Sequence, residues 1–140
     1  MKRTATAEWK GDLKAGKGSI STASGVLEET QYSFGTRFED GKGTNPEELI
    51  AAAHAGCFAM ALSAQLGEAG MKAESIRAMA TVTLDKVEGG FAITSSHLDV
   101  KVRMPGADKA KFDQAAKNAK EGCPVSKLLN AEVTMTAELE

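Results

Sequence analysis

The stretch GTNPEELIAAAHAGCFAMALSAQLGEAG, residues 43–70, constrains this chain more than any other. Asn45 is a favoured N-cap, Pro46 suits the first helical position, and Glu48 stands three residues past the cap, where a capping box needs it. Gly67 or Gly70 supplies the stop. The spacing therefore predicts one helix of roughly 25 residues, about 37 Å long. Beyond its first turn the helix carries no clear charge until Glu68, so its middle is apolar nearly all round and is expected to be buried. In a small domain, full burial is easier when a second subunit covers one side. Ala51, Ala52, Ala53, Ala55 and Gly56 leave room for another helix to approach closely, which points to dimerisation through this region.

With 140 residues, 42% of them hydrophobic and 26% charged, the chain fits a single domain spanning residues 1–140. No run approaches about 18 uninterrupted apolar residues, and the start, MKRTATAEWKGD, lacks the apolar segment of a signal peptide. The expected location is cytoplasmic, off the membrane. A formal net charge of -2, with no block of like charges, argues against nucleic acid as a partner. Small molecules and other proteins are the expected partners.

Around the helix the pattern is that of strands. TATAEWKG places Ala5, Ala7 and Trp9 on one face, a glycine turn follows, and SISTAS and TQYSFGTRFE read as the next extended stretches. IRAMATVTLDKV and FAITSSHLDVKVRM, joined by EGG, read as a long hairpin. Its buried faces are Ile76, Ala78, Ala80, Val82 and Leu84 on one strand, and Leu98, Val100, Val102 and Met104 on the other. KAKFDQAAKNAKEG is an amphipathic helix with Asp108 as its N-cap. PVSKLLN is a short helix, and EVTMTAELE is a last strand. Strands clustered about helices without βαβ alternation indicate an α+β fold, with antiparallel sheets packed on the long central helix.

Two cysteines, Cys57 and Cys123, are too few for a disulfide scaffold. Cys123 lies between Gly122, which ends one helix, and Pro124, which opens the next. There it is an N-cap near unpaired N–H groups, which favours a thiolate. Cys57, inside an apolar helix, is inert unless a cation stabilises its anion. Arg37, flanked by Phe34 and Phe38 as if beside an apolar pocket, is the candidate cation. Glu47 shares a helix side with Cys57 but stands ten residues away, about 15 Å along the axis, so the two do not meet within one straight helix. A crossing copy of the helix from a symmetric partner is one way to bring them together. Simpler readings stand beside these: both cysteines as core residues, Arg37 as a surface cation, Glu47 as complement to the helix dipole, and His54 as a packed core histidine. A metal site would need His54, His97 and both cysteines to converge without any short ligand spacing.

Three segments, SFGTRFEDGKGTNPEELIAAAHAGCFAMALSAQLGEAG, LDKVEGGFAIT and AKEGCPVSKLL, together with the opening AEWKGDLKAGKGSISTASGVL, carry a resemblance to a known family. The chain resembles the OsmC/Ohr family of thiol peroxidases, and within it the OsmC branch. The resemblance implies an intertwined α+β homodimer with active sites at the subunit interface. It implies reduction of organic hydroperoxides, and more weakly of hydrogen peroxide. Matched position by position, Cys57 is the peroxidatic cysteine, Cys123 the resolving cysteine that forms a disulfide with it, and Arg37 and Glu47 the polar pair that activates Cys57. The family suggests a dihydrolipoyl-protein type of dithiol as reductant, and no metal, flavin or haem. The alternatives are a disulfide sensor without turnover and an apolar-ligand binding dimer.

Overall fold

The structure, a computed structural model, describes residues 1–140. It divides the chain into two compact units, residues 1–49 and residues 50–140.

The first unit is built on a three-stranded antiparallel sheet: β1 (Ala5–Lys10), β2 (Lys17–Thr22) and β3 (Thr30–Tyr32), in that order. Gly18 pairs with Trp9 on one side and Tyr32 on the other, and the two rings close over it with centroids 5.5 Å apart. A Cβ at Gly18 would sit 2.4 Å from the Tyr32 ring, so this aromatic pair requires glycine between its members. The extended stretch expected to run on from Thr30 stops at Tyr32. Instead Phe34–Phe38 forms a short helix, α1, because Ser33 caps it: its hydroxyl accepts from the Thr36 N–H and the Thr36 hydroxyl accepts from the Ser33 N–H. That local pairing outcompetes the alternation of side chains that suggested a strand. The following loop is tied back by the Thr44 N–H to the Gln31 carbonyl and by the Asn45 side chain to the Thr36 carbonyl.

The long helix α2 runs Pro46–Glu68 and starts as expected, with the Glu48 N–H donating to the Asn45 side chain at 2.8 Å. Glu48 does not complete the box; its carboxylate accepts from the Thr44 hydroxyl instead. At the far end Gly70 takes a left-handed conformation, φ +74°, and the Met71 and Gly70 N–H groups return to the carbonyls of Leu66 and Gly67. This is a Schellman stop, which explains why Gly70 rather than Gly67 ends the helix.

In the second unit, β4 (Ser75–Val87) and β5 (Gly90–Arg103) form the expected long hairpin, closed by Glu88–Gly89. β6 (Glu132–Leu139) joins β5 in parallel, a departure from the all-antiparallel expectation. The reason is connectivity: α3 (Lys109–Gly122) and α4 (Pro124–Leu128) form a crossover that returns the chain to β6 in the direction of β5. One face of this sheet, with Leu98, Val100 and Val102 at its centre, packs against a stripe of α2 and against Phe112, Ala116 and Ala119 of α3.

On α2 the stripe is His54, Phe58, Leu62 and Leu66, spaced every four residues and all buried. The expectation of a helix buried all round is corrected here. Ala52, Ala53, Gly56, Met60 and Ala64, on the other side, are exposed, Met60 at 77%. In length and composition this helix would also suit a membrane span. The helix is two-sided, with one stripe in the protein core and one uncovered apolar face.

Candidate active site

Residues 1–49 hold one half of the candidate chemistry. Arg37 follows the cap of α1 by one helical turn, and Glu47 lies in the first turn of α2. Their side chains form a forked pair: Arg37 Nη2 donates to Glu47 Oε1 at 2.8 Å, and Nε donates to both carboxylate oxygens at 3.2 Å. Glu47 is nearly buried, with 10% of its side chain exposed, whereas the Arg37 side chain is 39% exposed. The carboxylate thus fixes the guanidinium from behind and leaves remaining donors open. Arg37 also lies 5.4 Å over the Phe38 ring, and Phe34 packs on Phe38 with centroids 4.9 Å apart. Together with Trp9, Leu13 and Tyr32 these residues line a cavity of about 190 Å³ beside Arg37. The apolar pocket expected next to the cation is there.

Residues 50–140 hold the other half. Cys57, one turn past His54 on α2, and Cys123, at the joint of α3 and α4, are both free thiols. Sequence separates them by 66 residues; folding brings their sulfurs to 2.8 Å. A disulfide needs about 2.05 Å, so bond formation asks for an approach of only about 0.8 Å. Cys123 is fully buried and Cys57 half-buried.

The two thiols titrate as a pair. Burial pushes Cys57 above its ordinary value, the hydrogen bond and charge of Cys123 add to this, and the Val125 N–H opposes it. No lysine or arginine of residues 50–140 acts on the Cys57 sulfur. For Cys123 burial also disfavours the anion. The Cys57 thiol, the N–H groups of Ser126 and Val125, and the Ser126 hydroxyl outweigh it and hold the group below its ordinary value. Those N–H groups face the sulfur without closing a capping hydrogen bond of ordinary geometry. With both protons present Cys123 donates to Cys57.

His54 is a core histidine, as read from the sequence, but not an idle one. Its ring is fully buried, Nδ1 meets Ser96 Oγ at 2.7 Å and Nε2 meets Ser126 Oγ at 2.8 Å. Burial lowers its pKa and keeps it neutral. His97 is elsewhere, on the polar face of the sheet, with Thr134 and Thr136. Sequence reasoning passed over Ser96 and Ser126. The only signals were the position of Ser126 three residues after Cys123 and that of His54 three residues before Cys57.

A helix-borne cysteine faces a second cysteine at a helix joint, an arrangement suited to the class of dithiol redox proteins. Comparison narrows the class. The OsmC-like protein family matches residues 39–138. The chain is 57% identical over 134 residues to the peroxiredoxin OsmC of Escherichia coli strain K12, covering 96% of this chain and 94% of that one. It is 33% identical over 99 residues to the organic hydroperoxide resistance protein of Xanthomonas axonopodis pv. citri strain 306, covering 69% and 68%. Among solved structures, the organic hydroperoxide resistance protein OhrB of Bacillus subtilis superposes with a TM-score of 0.68 at 29% identity, covering 98% of each chain. This chain belongs to the OsmC-like family.

Proposed function

We propose that this protein is a two-cysteine thiol peroxidase that reduces organic hydroperoxides to alcohols. The observation that carries the reading is the pair of free thiols 2.8 Å apart, one of them on the long helix, in a chain of this family. The Cys57 thiolate attacks the terminal peroxide oxygen, the O–O bond breaks, and the alcohol leaves with a proton. Cys57 is left as a sulfenic acid. Cys123 displaces the hydroxyl from sulfur, giving a Cys57–Cys123 disulfide and water, and so protects Cys57 from further oxidation. An external dithiol, which we take to be of the dihydrolipoyl type, restores both thiols by exchange in a reducing, cytoplasmic setting.

Arg37, oriented by Glu47, is the cation that Cys57 lacks in its own unit. Ten residues of helix, about 15 Å, separate Glu47 from Cys57. We therefore propose that the Arg37–Glu47 pair of one copy serves Cys57 of another in a homodimer. The uncovered apolar face of α2 supports this reading, because burying such a face against its own copy is favourable. The aromatic cavity beside Arg37 supports an apolar peroxide tail over hydrogen peroxide.

Steady consumption of cumene hydroperoxide with a dihydrolipoyl donor tests the function. Many turnovers per protein are expected. Disulfide formation without turnover would favour the sensor reading instead, and inert thiols the ligand-binding one.

A further inference from the structure

The disulfide step needs the Cys123 sulfur to stay within reach of Cys57 while Cys57 changes from a thiol to a sulfenic acid. We propose that His54 is a positioning residue for that step: its buried ring ties Ser126 of α4 to α2 and so holds Cys123, at the head of α4, against Cys57 on α2. The proposal rests on the peroxidase reading and adds residues to it.

The two cysteines sit on different elements, and the tie joins those same two. Cys57 lies one turn past His54 on α2, and Cys123 caps α4, with Ser126 one turn into it. α4 needs an external hold. It has five residues, too few for a helix to persist on its own, none of its side chains is fully buried, and its cap makes no side-chain hydrogen bond. Val125, partly buried, packs against the core. The polar side-chain tie from α4 to another element is Ser126 Oγ to His54 Nε2, at 2.8 Å. His54 is a firm anchor for it. The ring is fully buried, and its Nδ1 meets Ser96 Oγ at 2.7 Å on β5, the middle strand of its sheet. In either tautomer of the neutral ring one nitrogen donates and the other accepts, and each hydroxyl can do both, so both bonds are satisfied whichever way they point.

Oxidation is what makes the tie necessary. The thiol–thiol contact of 2.8 Å cannot stand unchanged once an oxygen is bonded to Cys57 Sγ, whereas the His54–Ser126 contact involves neither sulfur and persists. The closing step balances without any further reagent. Cys123 loses its proton, its sulfur bonds to Cys57 Sγ, and the S–O bond of the sulfenic acid breaks. The departing hydroxide takes the proton and leaves as water. Cys123 is oxidised and the Cys57 sulfur reduced by one level each, the two electrons having been drawn from Cys57 by the peroxide. Holding the sulfurs together makes this an oriented intramolecular reaction, and its rate depends on that orientation.

The test follows pre-reduced protein through two phases after one equivalent of tert-butyl hydroperoxide: sulfenic acid formation, then loss of the second thiol. It is run at alkaline pH, where Cys123 is a thiolate in every variant, so that a change in the second phase reports position and not ionisation. In Ser126→Ala the first phase is expected to hold and the second to slow about tenfold, the weight of one hydrogen bond. Ser126→Thr, which keeps the hydroxyl, restores it. His54→Gln, which keeps a polar group near Ser126, falls between, and it serves as the second variant if Ser126→Ala does not fold. A second phase equal to that of the unsubstituted protein, or both phases slowed alike, overturns the proposal. Without any peroxide, the dithiol–disulfide equilibrium of the same variants in a glutathione buffer gives the effective concentration of one thiol at the other. It should fall about tenfold in Ser126→Ala and recover in Ser126→Thr, whereas a loss of stability shared by both redox forms leaves it where it is. An equilibrium that does not move also overturns the proposal. A shifted equilibrium in a protein inert to peroxide upholds the tie and removes the peroxidase reading.

Discussion

Breaking the Arg37–Glu47 fork separates its structural from its chemical role. Three donor–acceptor distances of 2.8–3.2 Å join the two side chains, and Glu47 is nearly buried while Arg37 is 39% exposed. Removing one partner of a fully buried pair costs about 3–5 kcal/mol, and an exposed pair contributes about 0–1 kcal/mol. Glu47→Gln, with one end of the pair open to solvent, should therefore cost about 1–2 kcal/mol, or roughly 4–8 °C in Tm for a chain of this size. Arg37→Ala should cost more, because it leaves the nearly buried Glu47 carboxylate without its partner. Urea unfolding of both single variants and the double variant gives the coupling, expected at about 1 kcal/mol. Rapid mixing with an alkyl hydroperoxide gives the chemistry. Arg37→Ala should slow the first thiol oxidation about a hundredfold, the usual cost of one donor aimed at developing charge. Arg37→Lys should not restore it, since an ammonium lacks the fork. Additive stabilities, within about 0.3 kcal/mol, together with an unchanged oxidation rate would refute the reasoning.

Other consequences follow from individual residues. Cys57→Ser should abolish peroxide consumption, and Cys123→Ser should react once and then overoxidise, as mass spectrometry of the treated variants will show. In the proposed homodimer, Met60→Glu, on the uncovered face of α2, should shift the protein from dimer to monomer in sedimentation velocity and leave the fold intact by circular dichroism; an unsubstituted protein that sediments as a monomer would remove the dimer proposal. Phe58→Ala should cost about 3–5 kcal/mol in urea unfolding, since the ring is fully buried in the core. Because burial lowers the pKa of His54, the unfolded chain binds a proton below about pH 6.5 that the folded chain refuses. Stability should therefore fall on acidification through that range, and a melting series against pH should flatten there in His54→Gln.

Elements with strong local signals were legible in the sequence. Asn45, Pro46 and a stop at Gly67 or Gly70 mark α2, the EGG connection marks the hairpin, and Asp108 marks α3, because each is decided by groups within a few residues. α1 was not, since a Ser33–Thr36 capping pair was hidden in a stretch that also alternates like a strand. Nor was the parallel pairing of β6, which depends on how a whole crossover returns the chain. The candidate site divides in the same way. Cys57 and Cys123 were nameable by residue type and motif and Arg37 by its flanking aromatics, whereas the pairing of Arg37 with Glu47 came only from the family resemblance. Ser96 and Ser126 were out of reach, because a hydroxyl bonded to a histidine 42 or 72 positions away leaves no periodicity to read.

The most direct measurement is intact-mass analysis with free-thiol counting of pre-reduced protein after one equivalent of tert-butyl hydroperoxide. The account predicts prompt loss of both thiols, a mass lower by two hydrogens, and a peptide map joining Cys57 to Cys123. Two intact thiols in folded protein would contradict it.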